Sequence, residues 1–238
     1  MPDLSLVNTD VLILAGGQGK RLRQVVGDRP KPMADISGQP FLDVLINYAS
    51  GFGLKRFVLG TGYKADTITT YYECKDGPQQ IVFSNESIPL GTGGAIKNAE
   101  GFLNSDPFLV MNGDSLCQLD LSDFLQFHIK KNALLSIALV PADCTEDFGT
   151  VELDETQKVI RFEEKKARSS RTFISAGIYL FRQDIFPMMP RQTKYSLEYD
   201  LFPSLAGREF YGYVAPAELI DIGTPERYER AKTQLRCE

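Results

Sequence analysis

The first half of the chain alternates between short apolar runs and segments with apolar residues at helical spacing, and this rhythm allows few folds. The apolar runs, typical of buried strands, lie at residues 11–14, 56–59, 80–83 and 107–111. Helical spacing covers residues 40–50, 64–72, 93–99 and 121–131, the last with Ser122 as its predicted N-cap. Strands that alternate with helices in this way form a parallel sheet covered by helices on both faces. We therefore expect an α/β fold with a doubly wound sheet.

In the second half, strands follow one another with few helices between them. The predicted strands lie at residues 134–140, 149–153, 159–162 and 174–181. Helical patterns return near residue 201 and at 225–235, where Thr224 is the expected N-cap. No change of composition marks a linker, so we expect one domain over residues 1–238, with a lobe inserted at about 140–215.

Composition and charge exclude several classes of protein. A net charge of −5 over 238 residues argues against a protein that coats nucleic acids. The four cysteines include no Cys-x-x-Cys pair, so we expect reduced thiols rather than a disulfide framework or a metal site. Residues 1–10 lack the pattern of a signal peptide, and no apolar run approaches the roughly 20 residues of a membrane span. We therefore expect a cytoplasmic protein that binds neither nucleic acid nor membranes.

His128 is the only histidine in the chain. It lies within the predicted helix at 121–131, where we expect it at the surface or at the edge of the core. Because there is no second histidine, Ser-His catalysis and histidine-rich metal sites are disfavoured.

A glycine-rich loop follows the first predicted strand. Its sequence, LAGGQGKRL at residues 14–22, places three glycines and two cations at the end of a strand, where backbone N–H groups and positive charge can bind a phosphate. The loop is not a P-loop, because Arg21 stands where Ser or Thr would follow Gly-Lys. It is not a dinucleotide fingerprint either, because a leucine replaces the third glycine. Further on, Pro30 and Pro32 stiffen the backbone around Lys31, which holds a third cation in a defined direction.

Two aspartates follow other apolar stretches. Asp114 comes after the predicted strand at 107–111, at a position where a carboxylate can hold Mg²⁺ beside a triphosphate. Asp221 ends a short apolar stretch before the predicted helix start at Thr224. An ordinary turn at the end of a strand explains the segment around Asp114 equally well. An ordinary turn between a strand and a helix explains every residue of the second segment except Asp221.

Together these motifs resemble those of the sugar-1-phosphate nucleotidylyltransferases. The signature Gly-Gly-x-Gly-x-Arg-Leu followed by Lys-Pro-Met is present at residues 16–22 and 31–33, with Lys20 where Ser or Thr is usual. Further motifs follow in the family's order over essentially the whole chain. The resemblance implies a single Rossmann-like, doubly wound mixed sheet of the nucleotide-diphospho-sugar transferase (GT-A-like) type with a sugar-binding lobe. It also implies a nucleotide-binding half at about 10–115 and a sugar-phosphate-binding half at about 116–238.

The resemblance assigns a role to each motif. Arg21 and Lys31 are the expected catalytic cations, and Asp114 and Asp221 are the expected ligands of a catalytic Mg²⁺. The expected nucleotide-binding residues are Leu14, Ala15, Gly16, Gly17, Gly19, Lys20, Glu86, Gly91, Thr92, Gly93 and Asn112. The expected sugar-phosphate-binding residues are Gly149, Glu164, Lys165, Ser175, Gly177 and Glu198.

The reaction that the resemblance implies joins a sugar 1-phosphate to an NTP and releases pyrophosphate. The carboxylate of Glu86 can accept hydrogen bonds from two adjacent donors of guanine, whereas uracil and thymine offer one, so GTP is favoured. Motifs such as Phe148-Gly-Thr-Val151 and Ile220-Asp-Ile-Gly-Thr-Pro225 are most similar to those of the D-glycero-α-D-manno-heptose 1-phosphate guanylyltransferases. Those enzymes make GDP-heptose for bacterial surface polysaccharides.

Other interpretations stay open. Mannose, glucose or N-acetylmuramate 1-phosphate, with GTP or UTP, are alternative substrates. A non-catalytic subunit that senses nucleotide sugars is an alternative from another class, although it would need none of the four expected catalytic and metal-binding residues. A cytidylyltransferase for a non-sugar alcohol phosphate is disfavoured by the motifs at 162–165 and 221–225. The sequence leaves open whether the chain forms a homo-oligomer.

Overall fold

The computed structural model describes residues 6–142, 148–164 and 172–235. The strands of this part of the chain are β1 (Val11–Leu14), β2 (Asp35–Ile36), β3 (Gln39–Pro40), β4 (Arg56–Thr61), β5 (Gln80–Asn85), β6 (Phe108–Asn112), β7 (Ser115–Cys117), β8 (Leu135–Ala142), β9 (Gly149–Leu153), β10 (Val159–Glu164), β11 (Thr172–Phe181), β12 (Phe210–Val214) and β13 (Leu219–Asp221). The α-helices are α1 (Arg23–Val26), α2 (Phe41–Ser50), α3 (Ala65–Glu73), α4 (Gly91–Asn98), α5 (Leu121–Lys130), α6 (Phe202–Leu205) and α7 (Pro225–Gln234). A π-helical turn at Leu197–Leu201 leads directly into α6.

Nine strands form one mixed sheet. Its order is β10-β9-β11-β6-β1-β4-β5, and β8 pairs with both β11 and β12. β1 is parallel to β4 and β6, and β4 is parallel to β5, whereas β11 is antiparallel to β6, β8 and β9. The expected α/β fold with a doubly wound mixed sheet is thus confirmed. Because β1 lies between β4 and β6, the loops after these three strands meet at one edge of the sheet, where such folds bind ligands.

Strand β11 is shared by several neighbours and bends between them. Residues 178–181 pair with β6, residues 173–174 pair with β9, and β8 runs beside both parts. The register is irregular between Ser175 and Tyr179, where Gly177 has a φ of 72°. The bend brings this part of β11 beside the end of β6.

A separate ladder of β7 and β13 lies next to the same edge. Ser115 pairs with Asp221, and the N–H of Ile222 donates to the carbonyl of Asp114 at 3.0 Å. Two segments that are far apart in sequence, the turn after β6 and the turn before α7, therefore lie side by side.

Apolar side chains pack on both faces of the large sheet. In β1, Val11 and Ile13 belong to one buried cluster and Leu12 belongs to the other. Successive side chains of a strand point to opposite faces, so this alternation shows that the strand is covered on both sides. The loops at the sheet edge thus rest on a rigid, doubly covered support. Within the described ranges, none of the helices is both long and apolar enough to cross a membrane.

The strands and helices predicted for the first half are present with bounds shifted by a few residues. Short elements were not predicted: α1, β2, β3, β7, β12 and β13. Helix α4 begins at Gly91, so the predicted glycine turn is the first turn of the helix. The prediction of Ser122 as the cap of α5 is wrong. Asp120 is the cap, and its side chain accepts from the N–H groups of Ser122 and Asp123.

The position predicted for His128 is also wrong. The side chain is 2% exposed, and its Nδ1 lies 2.8 Å from Ser136 Oγ. Cys74 and Cys117 carry free thiols, whereas Cys144 and Cys237 lie outside the described residues.

Candidate active site

Two adjoining cavities open at the edge where β1, β4 and β6 end. The larger, of about 700 Å³, is lined by the loops after β1, β4 and β5, the first turn of α4 and the turn after β6. The smaller, of about 210 Å³, is lined by residues from β9, β10 and β11, the π-helical turn and the turn before α7. The two cavities share Arg21, Lys31, Asn112, Asp114 and Gly223 in their walls.

Most of the expected nucleotide-binding residues line the larger cavity. They are Leu14, Gly16, Gly17, Gly19, Lys20, Glu86, Gly91, Thr92 and Asn112. Ala15 and Gly93 are buried outside the lining. The N–H of Ala15 donates to the carbonyl of Gly60 at 2.8 Å, so this residue fixes the loop to the next strand rather than facing the cavity.

Most of the expected sugar-phosphate-binding residues line the smaller cavity. They are Gly149, Glu164, Ser175, Gly177 and Glu198, together with Asp221. Lys165 lies outside the described residues. The folded chain therefore brings the two predicted groups together as neighbouring cavities with a common cationic wall.

Lys31 lies at the centre of that common wall. It begins the single helical turn Lys31–Met33, and its Nζ lies 2.6 Å from Asp114 Oδ2. The stem of Lys31 packs against Gly19, where an added Cβ would lie 2.7 Å from the Cβ of the lysine. The glycine loop and the lysine are thus parts of one packed unit, which explains why a residue larger than glycine does not fit there.

Asp114 and Asp221 lie on the two sides of the β7–β13 ladder. The Oδ1 of Asp221 accepts from the N–H of Gly223 at 2.7 Å, and Arg227 NH1 lies 3.4 Å from its Oδ2. With Lys31 beside Asp114, each carboxylate has one cation next to it. Among the residues that the structure describes, no group of three or more acidic, histidine or cysteine side chains is placed to hold a metal ion.

Gly223 lies in the middle of these charges. A Cβ added there would stand 2.6 Å from Asp221 Oδ1, 3.7 Å from Lys31 Nζ and 3.8 Å from Arg227 NH1. A carboxylate and two cations therefore surround one backbone position, which is open only because the residue has no side chain.

Glu86 lines the larger cavity from the loop after β5. Its Oε2 accepts from the N–H of Leu90 at 2.9 Å. Its Oε1 lies so close to Gly16 that a Cβ added to that glycine would be only 2.8 Å from it. Burial raises the pKa of Glu86, and the bond from Leu90 opposes that shift. One carboxylate oxygen is thus held by the backbone, and the side chain faces the cavity in a fixed orientation.

The first turn of α4 connects the two cavities. Thr92 lines the larger one, and its Oγ1 donates to Glu198 Oε2 at 2.7 Å and accepts from the N–H of Leu197 at 2.9 Å. The same oxygen of Glu198, which lines the smaller cavity, accepts from Ser196 Oγ at 2.6 Å. Two hydroxyl groups therefore fix the direction of this carboxylate.

A buried acceptor without a partner lies between the cavities. Asn112 Oδ1 is enclosed and has no hydrogen-bond partner among the described residues. Asn112 lines both cavities. Because an unsatisfied buried acceptor costs about 1–3 kcal/mol, this oxygen is suited to a donor group supplied by a ligand.

The family model for nucleotidyl transferases matches residues 10–238. The chain belongs to the nucleotidyl transferase family. This membership agrees with the resemblance drawn from the glycine loop, Lys31 and the two aspartates.

Among curated nucleotidyl transferases, the D-glycero-alpha-D-manno-heptose 1-phosphate guanylyltransferase of Aneurinibacillus thermoaerophilus is 39% identical, over 95% of this chain and 98% of that protein. The enzyme of the same name from Campylobacter jejuni is 37% identical, over 91% of this chain and 96% of its own length. A mannose-1-phosphate guanylyltransferase of Mycobacterium tuberculosis is 36% identical, over 95% of this chain and 64% of that protein.

Solved structures show the same nucleotidyl transferase fold. The crystal structure of HddC from Yersinia pseudotuberculosis superposes with a TM-score of 0.85 at 38% identity, covering 96% of this chain and all of that one. HddC complexed with GMP-PN superposes with a TM-score of 0.84.

Two cationic residues that line the cavities of this nucleotidyl transferase were not predicted from the sequence. Lys194 lines the larger cavity, and Arg227 lines the smaller. Lys194 stands two residues before Ser196, in a polar segment without strand or helix periodicity, so no pattern pointed to it. Arg227 lies only six residues after Asp221 and three after the cap Thr224, which places it on the first turn of α7, so that spacing was the available signal.

Proposed function

We propose that this chain joins D-glycero-α-D-manno-heptose 1-phosphate to GTP, giving GDP-heptose and pyrophosphate. The observation that carries the proposal is the wall common to the two cavities, which includes Arg21, Lys31 and Asp114. A reaction between two phosphates needs two anionic ligands side by side, with positive charge between them. The names of the relatives from Aneurinibacillus and Campylobacter support the choice of sugar and nucleotide.

The chemistry needs alignment and charge neutralisation more than proton transfer. The attacking phosphate is mostly ionised at neutral pH, because its second pKa is about 6. No general base is therefore required, which suits a chain whose single histidine is buried in the core. We assign Arg21 and Lys31 to the triphosphate, where their charges would stabilise the negative charge that develops as pyrophosphate leaves.

The two carboxylates fit a magnesium site. Mg²⁺ is commonly held by one or two carboxylates, with substrate phosphates and waters as its remaining ligands, and Asp114 and Asp221 provide that donor set beside the shared wall. When bound, Mg²⁺ would neutralise phosphate charge and align the two reacting groups. The contacts of the carboxylates with Lys31 and Arg227 hold them in a defined orientation.

The smaller cavity suits a polyhydroxylated ring with a phosphate. Asn112 Oδ1 and the carboxylate of Glu198 offer acceptors for sugar hydroxyl groups, and Ser175 Oγ lies 3.1 Å from Tyr179 OH at the same wall. Gly149 leaves room for Phe162 to pack beneath the cavity, because a Cβ there would lie 2.4 Å from its ring. We assign Gly149, Ser175 and Glu198 to the sugar and the half of the chain at about 10–115 to the nucleotide, with Asn112 placed to contact both because it lines both cavities.

The test is pyrophosphate release by the purified chain with Mg²⁺. GTP, UTP, ATP, CTP and dTTP would each be paired with the 1-phosphates of the heptose, mannose, glucose and N-acetylmuramate. We expect the highest kcat/KM for GTP with the heptose. A higher value for mannose with GTP would move the sugar assignment to the substrate named for the Mycobacterium relative, and turnover confined to UTP would overturn the nucleotide assignment.

Variants of the two carboxylates test the metal assignment in the same assay. Asp114→Asn and Asp221→Asn should each lower kcat by about 100-fold or more at fixed Mg²⁺, by analogy with the loss of one transition-state-stabilising group. Asp66→Asn, at an exposed position of α3, is the matched control and should keep full activity. Circular dichroism would check that the variants are folded, and retained turnover in either site variant would show that the metal is bound elsewhere.

A further inference from the structure

Arg227 has contacts that its position on a surface helix does not require. Its guanidinium carbon lies 4.7 Å from the centre of the Phe148 ring, and NH1 lies 3.4 Å from Asp221 Oδ2. Thr224 caps the helix and its Oγ1 accepts from the N–H of Arg227 at 3.3 Å, so the backbone of this residue is fixed. The side chain is 23% exposed and lines the smaller cavity.

The contact with Asp221 conflicts with the proposed metal site. A carboxylate that ligates a divalent cation cannot keep its full attraction for a guanidinium on the same face, because the two cations repel each other. Lys31 is in the same situation at Asp114. A divalent metal bound by the two carboxylates would therefore weaken both ion pairs.

A released guanidinium would have little distance to travel. Lys31 Nζ and Arg227 NH1 lie 3.7 and 3.8 Å from the point where a Cβ of Gly223 would be. The open space at Gly223 therefore lies between two cations at the junction of the two cavities. The cation–π contact with Phe148 holds the guanidinium group in this region. A guanidinium is the side-chain group best shaped to bind phosphate oxygens in pairs.

We propose that Arg227 binds the phosphate of the sugar 1-phosphate, and that it neutralises Asp221 until a divalent metal takes that carboxylate. This inference rests on the proposed function. Arg227 and the metal compete for Asp221. A bound metal displaces Arg227 from that carboxylate toward the junction of the cavities, and the sugar phosphate would bind it in the same displaced position. Metal binding therefore prepares the smaller cavity for its substrate.

Arg227→Gln tests both parts of the proposal. Without nucleotide or sugar, the variant should bind Mn²⁺ about threefold to tenfold more tightly than the unaltered chain, measured as free Mn²⁺ by electron paramagnetic resonance, because a competing cation is gone. In turnover, the KM for the sugar 1-phosphate should rise about tenfold or more, with little change in the KM for GTP. Arg227→Lys should recover part of the lost affinity for the sugar phosphate.

The matched control is Arg230→Gln, which removes the same charge from an exposed position of the same helix. It should change neither Mn²⁺ binding nor either KM. If Arg227→Gln binds Mn²⁺ as the unaltered chain does, or keeps its KM for the sugar 1-phosphate, the inference is wrong. If the unaltered chain turns over no sugar 1-phosphate, the proposed function fails instead, and the Mn²⁺ titration still decides whether Arg227 competes at Asp221.

Discussion

The surroundings of Glu86 suit the recognition of guanine that we expect of this side chain. The N–H of Leu90 holds Oε2, and Gly16 gives Oε1 the room to reach the cavity. The carboxylate is therefore oriented as well as partly desolvated. An oriented pair of acceptors matches the adjacent N1–H and N2–H₂ donors of guanine.

Glu86→Gln should reduce the preference for GTP over UTP. The amide keeps the shape but must present a donor where guanine also presents donors, so we expect the ratio of the two kcat/KM values to fall about 10- to 100-fold. Glu73→Gln, at an exposed position of α3, is the control and should leave the ratio unchanged. Because its pKa is raised, acidification should weaken GTP binding at a higher pH than for an ordinary glutamate.

Residues with a fixed spacing to a strand end were predictable, and residues brought in by tertiary packing were not. The glycine loop, Lys31 and Asp114 each follow an apolar run, so the sequence indicated where they would gather. The side-chain atoms of Lys194 gain their position at the cavity wall from a segment that packs there only in the folded chain. The environment of such atoms depends on contacts between distant segments, which one sequence does not display.

At the scale of elements, helix α4 contains glycines where most helices would be destabilised by them. Gly93 and Gly94 lie in its first turn, although glycine is a poor helix former. The reason is the segment that crosses it. A Cβ on Gly93 would lie 2.7 Å from Tyr195 Cδ1, and one on Gly94 would lie 2.9 Å from the carbonyl oxygen of Thr193. The glycines permit this close crossing, which carries Glu198 to its cavity.

Gly93→Ala should therefore destabilise the protein. In an open helix the change would add about 1 kcal/mol of stability, but here the added methyl group must displace Tyr195, at a cost of about 1–3 kcal/mol. Urea denaturation followed by circular dichroism measures the difference. Gly101→Ala is the control, because a Cβ there would meet nothing within 4 Å, and its free energy of unfolding should stay the same or rise.

The elements that the sequence revealed are those with strong periodicity. Strands β1, β4, β5 and β6 and helices α2, α3 and α5 were predicted because their apolar residues repeat at a clear spacing. β7 and β13 have three residues each, too few for a period to show. β12 carries Gly212 within the run FYGYV, and a glycine normally argues against a strand interior.

At the scale of the whole molecule, His128 links stability to pH. Its side chain extends from α5 to Ser136 on β8, and burial lowers its pKa to about 4, with the charge of Arg182 acting in the same direction. In the unfolded chain the pKa is about 6.5, so the unfolded state takes up a proton first as the pH falls. Stability is therefore complete above about pH 6.5 and is lost progressively between that value and the folded pKa.

The free energy of unfolding should fall by roughly 1 kcal/mol between pH 7.5 and pH 5.5, measured by urea denaturation at both values. Since this is the only histidine in the chain, no other imidazole contributes in that interval. His128→Gln should show a clearly smaller pH dependence, whatever its overall stability. An equal dependence in the variant would assign the effect to other groups.

The β7–β13 ladder joins two segments that leave the ribosome at very different times. A nascent polypeptide that has left the ribosome as far as residue 214 contains almost all the residues that line the larger cavity but only one of the two aspartates, Asp114. Asp221 arrives with β13, and the ladder forms between segments that synthesis separates by most of the second half of the chain. A chain that ends before β13 therefore lacks one of the two carboxylates that we propose to hold Mg²⁺, and we expect it to be inactive.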